Sequence, residues 1–305
     1  MRRAASWSDR PAALVWRRFQ DHRAAAASAI VLLVVAALVL ASPAIEAGFG
    51  AEQSSIDIYN SYAAPTADHW LGTDEIGRDV MLRLLAGGRI SLMVGLVAAI
   101  FASIIGTTVG LFAGYYGGRL DAVLMRLTDS VIALPLLPLL IILAAVDLSK
   151  LPLPAGVAQS ELVSLYRVIF VIALFGWTTV ARLVRAGTLS VRTRDYVTAA
   201  RALGHRPTAI MLRHILPNVI SPIVVATTLS IGGVILLESV LSFLGLGIQP
   251  PIASWGNMLT NAQELISTAP HLAVYPGLMI FFTVIAFNFL GDGLQDALDP
   301  KASRR

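Results

Sequence analysis

Six stretches of this chain run free of Asp, Glu, Lys, Arg and His for close to the length a helix needs to cross a lipid bilayer. A crossing takes about 20 apolar residues, with a range of roughly 17–25. The stretches are Ala24–Ile45, Ile90–Gly118, Ser130–Val146, Val168–Ala181, Ile215–Leu237 and Leu272–Gly291. Only 14% of the residues are charged, against about 25% in soluble domains. Such a chain cannot cover itself with polar surface, so part of its solvent is lipid. The expected fold is all-α: a polytopic membrane protein of about six transmembrane helices.

The fourth stretch is below the length limit. It spans only as a helix from about Leu162 to Val184, with Arg167 and Arg182 extending their stems to the two interfaces. The distribution of positive charge argues for keeping it. Six spans with an inside N-terminus place eighteen of the 23 basic residues in the cytoplasm and five outside. Without the fourth span, the seven arginines from Arg182 to Arg213 would move outside. Both termini are thus expected in the cytoplasm.

This topology divides the chain. Residues 1–23 form a cytoplasmic amphipathic segment, 24–45 the first span, 46–87 an extracytoplasmic segment, and 88–298 a five-helix domain that carries an inner loop at 184–216. Thr73-Asp74 is expected to cap an interfacial helix that bears Val80, Leu84 and Leu85 and leads into the second span. The outer loop Gly247–His271 is expected to hold a short interfacial helix. There are no cysteines, which excludes disulfides, Cys-bound zinc and iron–sulfur clusters. No cleavable signal peptide, soluble domain, low-complexity tract or inverted repeat is evident.

Several residues stand out. Gly106, Gly110 and Gly114 recur every four positions in the second span, the spacing that lets helix backbones approach closely in lipid. Plain packing accounts for them; a sliding contact is the sharper reading. Pro135 and Pro138 are expected to kink the third span. Glu238 sits within the fifth apolar stretch. It is either hydrogen-bonded to a neighbouring helix near the outer end or a wall of a translocation path. Asn288, Asp292 and Asp296 share a face at intervals of four, as packing or capping groups. The five histidines lack metal spacing, and His69 or His271 as a nickel ligand has no second ligand at i+4.

The basic inner loop carries the most information. Its first helical run stops at Gly204, a C-cap position. A second runs from Pro207, suited to a first turn, to Ile215 and closes at Leu216-Pro217. Two short helices should meet at a glycine corner, with Ala199, Ala200 and Gly204 leaving room for a partner.

This loop resembles the inner-loop signature of bacterial binding-protein-dependent ABC importers: Glu-Ala-Ala, three residues, Gly, nine residues, then Ile-x-Leu-Pro. Ala199, Ala200, Gly204, Leu216 and Pro217 match at the right spacing, while Thr198 replaces the Glu and His214 the Ile. The outer segment His69–Val80, with Gly72, Thr73, Asp74, Gly77, Arg78 and Asp79, is similar to the outer motif of C-type permeases of the dipeptide/oligopeptide/nickel family. So are Gly88–Leu92, Leu244–Pro251 with Trp255-Gly256, Phe287–Leu294 and Asp296–Pro300. The likeness runs from about Ala24 to Pro300. One departure is the outer loop Asp147–Arg167, longer than is usual there.

The resemblance implies a type I ABC importer transmembrane domain that forms half of a translocation path for short peptides. Nickel, glutathione or opines are variants on the same scaffold. It implies a second, B-type permease, two ABC ATPase subunits that bind ATP and Mg, an extracytoplasmic solute-binding protein, and a bacterial inner-membrane setting. The segment from Tyr196 through His214 to Leu216 would be the coupling helix in an ATPase groove. No Gly-x-x-x-x-Gly-Lys-Ser/Thr loop is present, so ATP chemistry would fall to partners. No catalytic or metal site and no nucleic-acid partner is expected. A secondary transporter predicts paired broken helices and several buried acids, which the sequence does not show clearly. No nucleophile–base pair or metal motif marks a membrane enzyme or receptor.

Overall fold

The computed structural model describes residues 11–49, 53–146, 160 and 162–298. Helices α1 (Pro11–Asp21), α2 (Arg23–Leu40) and α3 (Ser42–Phe49) open the chain. A loop with one 3₁₀ turn leads to α4 (Val80–Tyr116), α5 (Gly118–Ala133) and α6 (Leu136–Ala144). Then come α7 (Val163–Val191), α8 (Asp195–Ala202), α9 (Pro207–Ile210), α10 (Leu216–Phe243), α11 (Ala262–Leu265) and α12 (His271–Leu298). Among the described residues the only β pairing is a bridge between Thr73 and Asp79. The long loop expected at Asp147–Arg167 lies largely outside the described residues.

Among the described residues, five helical runs are long and apolar enough to cross a membrane, and the α5–α6 pair makes six if it is one span. The first expected span is divided at Ala41. Pro43 has no N–H to continue the ladder there. The third differs more. Ser130–Val146 is not one kinked helix: α5 and α6 meet at 85°. Leu134, forced out of the helical region by the proline after it, is extended (φ −74°, ψ 137°). Pro138 sits in the first turn of α6, where its missing N–H costs little.

The fourth span runs ten residues past Ala181 to Val191. Arg182 pairs with Asp129 at 2.5 Å and Arg185 takes Asp121 through two nitrogens, at 2.5 and 2.6 Å, so α7 holds α5 by charge.

The expected cap at Thr73-Asp74 is also corrected. Asp79 caps α4, accepting from Leu82 N at 2.9 Å, and α4 continues unbroken for 37 residues. At about 1.5 Å per residue it is roughly twice as long as the hydrocarbon core is thick. Among the described residues, no α-helix lies between Phe49 and Val80.

The core is built around α4, α7 and α10. Val94, Ala98 and Ala99 of α4 pack with Val168 and Ile172 of α7 and Ile231 and Ile235 of α10, joined by Leu140 of α6 and Ile280 of α12. The glycine stripe explains how close α4 and α7 come. A Cβ at Gly106, Gly110 or Gly114 would lie 2.5–2.6 Å from Trp177 O, Ala181 O or Thr188 Cβ, all on α7. Phe19 of α1, Ala25 of α2 and Ala297 of α12 close a small cluster at the chain ends.

Candidate functional site

The segment between α7 and α10 folds as the glycine corner the sequence predicts. Residue Gly204 has φ +80°. Its N–H donates to Arg201 O at 3.0 Å and that of His205 to Ala200 O at 3.2 Å. These are the paired bonds of a Schellman ending, which needs a left-handed residue at this position. Pro207 then opens α9. The second arm does not close at Leu216-Pro217. Residues Met211–Ile215 form a π turn, Leu216 N donating to Met211 O, and the helix runs on into α10. The wider turn makes room for Pro217, whose ring would clash with an ordinary helical carbonyl.

The consequence is mechanical. Val197, Ala200, Ile210, Met211 and Ile215 are buried against Val180 and Val184 of α7, Val219 of α10 and Leu111 of α4. On the other side, Leu203 is 77% exposed and Tyr196 44%. Ala199, Gly204 and Pro217 are also exposed, and His214 is half-buried. Ala200 is small because it packs inward, so the room for a partner is at Ala199 and Gly204. A rigid corner thus presents an apolar and aromatic tip, with both arms fixed in the bundle core.

At the other end, the outer motif is a tightly wired loop. Asp74 Oδ1 accepts from Ile76 N at 3.1 Å and Arg78 N at 3.0 Å, and its Oδ2 takes Arg78 Nε at 2.7 Å. Thr73 is wholly buried; its hydroxyl donates to Asn60 O and accepts from Ala63 N. Asp79 Oδ2 meets His69 Nδ1 at 2.9 Å. Both Gly72 and Gly77 adopt positive φ, and a Cβ on Gly77 would meet Asp57 O at 1.7 Å.

Glu238 joins this end to the bundle. It is fully buried in α10. Three serine hydroxyls donate to its carboxyl group: Ser242 at 2.7 Å, Ser254 at 3.0 Å and Ser91 at 3.2 Å. Each serine oxygen also accepts a backbone N–H, from Ile248, Asn257 and Trp255 respectively. One carboxyl group therefore pins the 247–257 loop to α4 and α10. Sequence reasoning flagged Glu238 but missed all three serines. Replacing Glu238 with Ala strands three buried donors and is expected to lower stability by about 2–4 kcal/mol. Glu238→Gln keeps one acceptor and should lose less. Melting curves of the purified variants check the order.

The loop after α10 carries a 3₁₀ turn, Asn257–Leu259, and the short α11. Asp292 and Asp296 lie on α12 near its end, His22 Nε2 being 3.7 Å from Asp296. Among the described residues no group of three or more His, Cys, Asp or Glu is placed to hold a metal ion.

Long apolar helices, two of them joined by a glycine corner with buried arms, make this chain a helical membrane protein. The chain belongs to the family of binding-protein-dependent transport system inner membrane components, which matches residues 106–304. It is 43% identical over 287 residues to the glutathione transport system permease protein GsiD of Escherichia coli O6:K15:H31, covering 94% of this chain and 89% of that one. The GsiD protein of Shigella boydii serotype 4 matches to the same extent. The fold is similar to a chain in inward-facing structures of the MetNI methionine ABC transporter, with a TM-score of 0.55 and 19% identity over 70% of this chain and 94% of that one. The protein is a multi-pass inner-membrane permease subunit.

Proposed function

We propose that this permease forms half of the translocation path of an importer for short peptides, glutathione among them, and is driven by partner ATPases that bind ATP and Mg. A second, B-type permease completes the path, and an extracytoplasmic binding protein delivers cargo to the 53–79 loop. Both termini and the corner at 195–216 face the cytoplasm. The observation that carries the reading is the corner itself: an exposed tip whose second arm is one helix with α10. A push on Tyr196 and Leu203 by a closing ATPase dimer would tilt α7 and α10 together.

Two cavities along those helices support the path assignment. One of about 740 Å³ is lined by Thr179, Asn218, Ser221 and Gln295; one of about 220 Å³ is lined by Gly176, Gly233 and Leu237; both include Ser230. Uncharged polar groups at one end and an apolar stretch at the other suit a neutral or zwitterionic peptide better than a metal cation. Glu238 contributes by holding the loop at the outer mouth. The likeness to glutathione permeases over nearly the whole chain favours peptide cargo.

Purification without crosslinker is expected to recover a second permease and ATPases. In proteoliposomes with the cognate binding protein, uptake of labelled glutathione or a dipeptide should require ATP inside the ATPase-bearing compartment. A chain that purifies alone and transports on an ion gradient would overturn the reading.

A further inference from the structure

A cavity of about 320 Å³ lies between the outer motif and the loop after α10. One wall carries Asp74, Glu75, Arg78 and Arg83; the other carries Gln249 and Asn261. The volume falls in the range of small-molecule sites. Its charge bookkeeping is incomplete in an informative way. Arg83 is 7% exposed, a guanidinium almost removed from water. Its one ion-pair partner among the described residues is Asp74 Oδ2 at 3.5 Å, the same oxygen that already takes Arg78 Nε at 2.7 Å. Two guanidinium groups therefore share one carboxylate oxygen, and each reaches it through Nε. Among the described residues no hydrogen bond engages the Nη groups of either arginine.

A buried cation is expensive unless it is paired and its donors are satisfied. The flat guanidinium fork matches a carboxylate in two-point contact. On the arginine wall Glu75 is exposed, its charge also acting on Arg83, and across the cavity the Asn261 amide is placed by a left-handed backbone (φ 64°). Gln249 donates from Nε2 to Gly245 O and Gly247 O, which leaves Oε1 as an acceptor. The cavity thus offers spare cationic donors at depth, and an anion and neutral polar groups near its mouth.

We propose that this cavity is a subsite for a small zwitterionic solute of the size of a short peptide. Arg83 and Arg78 grip its terminal carboxylate and Glu75 receives its ammonium group. The inference rests on the reading above, in which this end faces the delivering protein. It adds a way-station on the permease between delivery and entry into the path. A single acidic side chain of the binding protein carries the same carboxylate chemistry, but it would fill only a small part of 320 Å³.

The test uses the assembled complex, with partner permease and ATPases, in nanodiscs without binding protein. The probes are the dipeptide alanyl-photoleucine as free acid and as its C-terminal amide. After irradiation, mass spectrometry should find saturable adducts within residues 249–265. Unlabelled Ala-Leu should compete at least about tenfold better than its amide, the loss expected for one charge-assisted pair. Arg83→Gln should erase that difference. Glu75→Gln, at an exposed position, should weaken competition by the free-amine peptide but not by its N-acetyl form. Equal competition by acid and amide in the unaltered complex, or no adducts in the cavity, overturns the subsite. Loss of binding-protein docking in Arg83→Gln without any cavity labelling assigns the arginines to a protein carboxylate instead, and also overturns it. Peptide uptake by the complete system is measured separately. Import without cavity labelling removes only the subsite, whereas labelling without ATP-dependent import removes the cargo assignment.

Discussion

Gly110→Leu is expected to prevent the bundle from closing. A Cβ at this position would meet Ala181 O at 2.6 Å, Val184 Cβ at 2.7 Å and Arg185 N at 2.9 Å. Two of those atoms are backbone in the middle of α7, so no side chain can swing aside. Ordinary overpacking costs about 1–3 kcal/mol. Here α4 and α7 must separate along the stripe, and the contacts of Gly106 and Gly114 would be lost with it. A competing effect has the opposite sign: replacing glycine in a helix gains about 1 kcal/mol in intrinsic propensity. The clash outweighs it at Gly110. At Gly277 in α12, where a Cβ would meet nothing within 4 Å, the gain should prevail. Gly110→Leu is therefore expected to yield little monodisperse protein in detergent, while Gly277→Leu purifies and melts no lower than the unaltered chain. A Gly110→Leu protein with an unchanged melting profile would mean that α4 and α7 do not touch in this way.

The spacing of those glycines was legible in the sequence, but the helix they press against was not. Periodicity shows which face of a helix is small and leaves its partner open. The same limit explains Glu238. Ser242 lies one turn after it on α10, but Ser91 comes from α4 and Ser254 from the loop after α10, and no local pattern links positions 91 and 254 to 238. Where two local signals compete, position in the loop decides. Thr73, Asp74 and Asp79 are all capping residue types. The helix starts after Asp79, because Thr73 and Asp74 are used across the loop, on Asn60, Ala63 and Arg78. Stop signals mislead similarly. Leu216-Pro217 reads as a helix end, yet the chain widens one turn and continues. Pro135 reads as a kink, yet with Leu134 extended it produces a break of 85°. Spans and corner were legible because charge-free runs and the Pro/Gly signals around them are local. Tertiary wiring was not.

Gly204→Val is expected to abolish uptake while leaving the bundle assembled. Nothing lies within 4 Å of a Cβ built at Gly204, so the valine meets no steric obstacle. The cost lies in the backbone. At φ +80° a β-branched residue is strongly disfavoured, by about 1–3 kcal/mol. That is small against the buried contacts of Val197, Ala200, Ile210 and Ile215, which hold both arms in the core. The strain should therefore be relieved locally, by loss of the Schellman bonds and a new angle between α8 and α9. Melting should shift by only a few degrees. The tip formed by Tyr196 and Leu203 would point elsewhere, and an ATPase dimer that closes would no longer move α10. Uptake in proteoliposomes should fall to background, and ATP hydrolysis by the complex should lose its dependence on binding protein. Gly204→Asn separates conformation from mere substitution, because asparagine tolerates the left-handed region. It should retain most of the uptake that valine loses. Normal uptake in Gly204→Val would show that the angle of this corner does not carry the stroke, and the coupling assignment would fall with it.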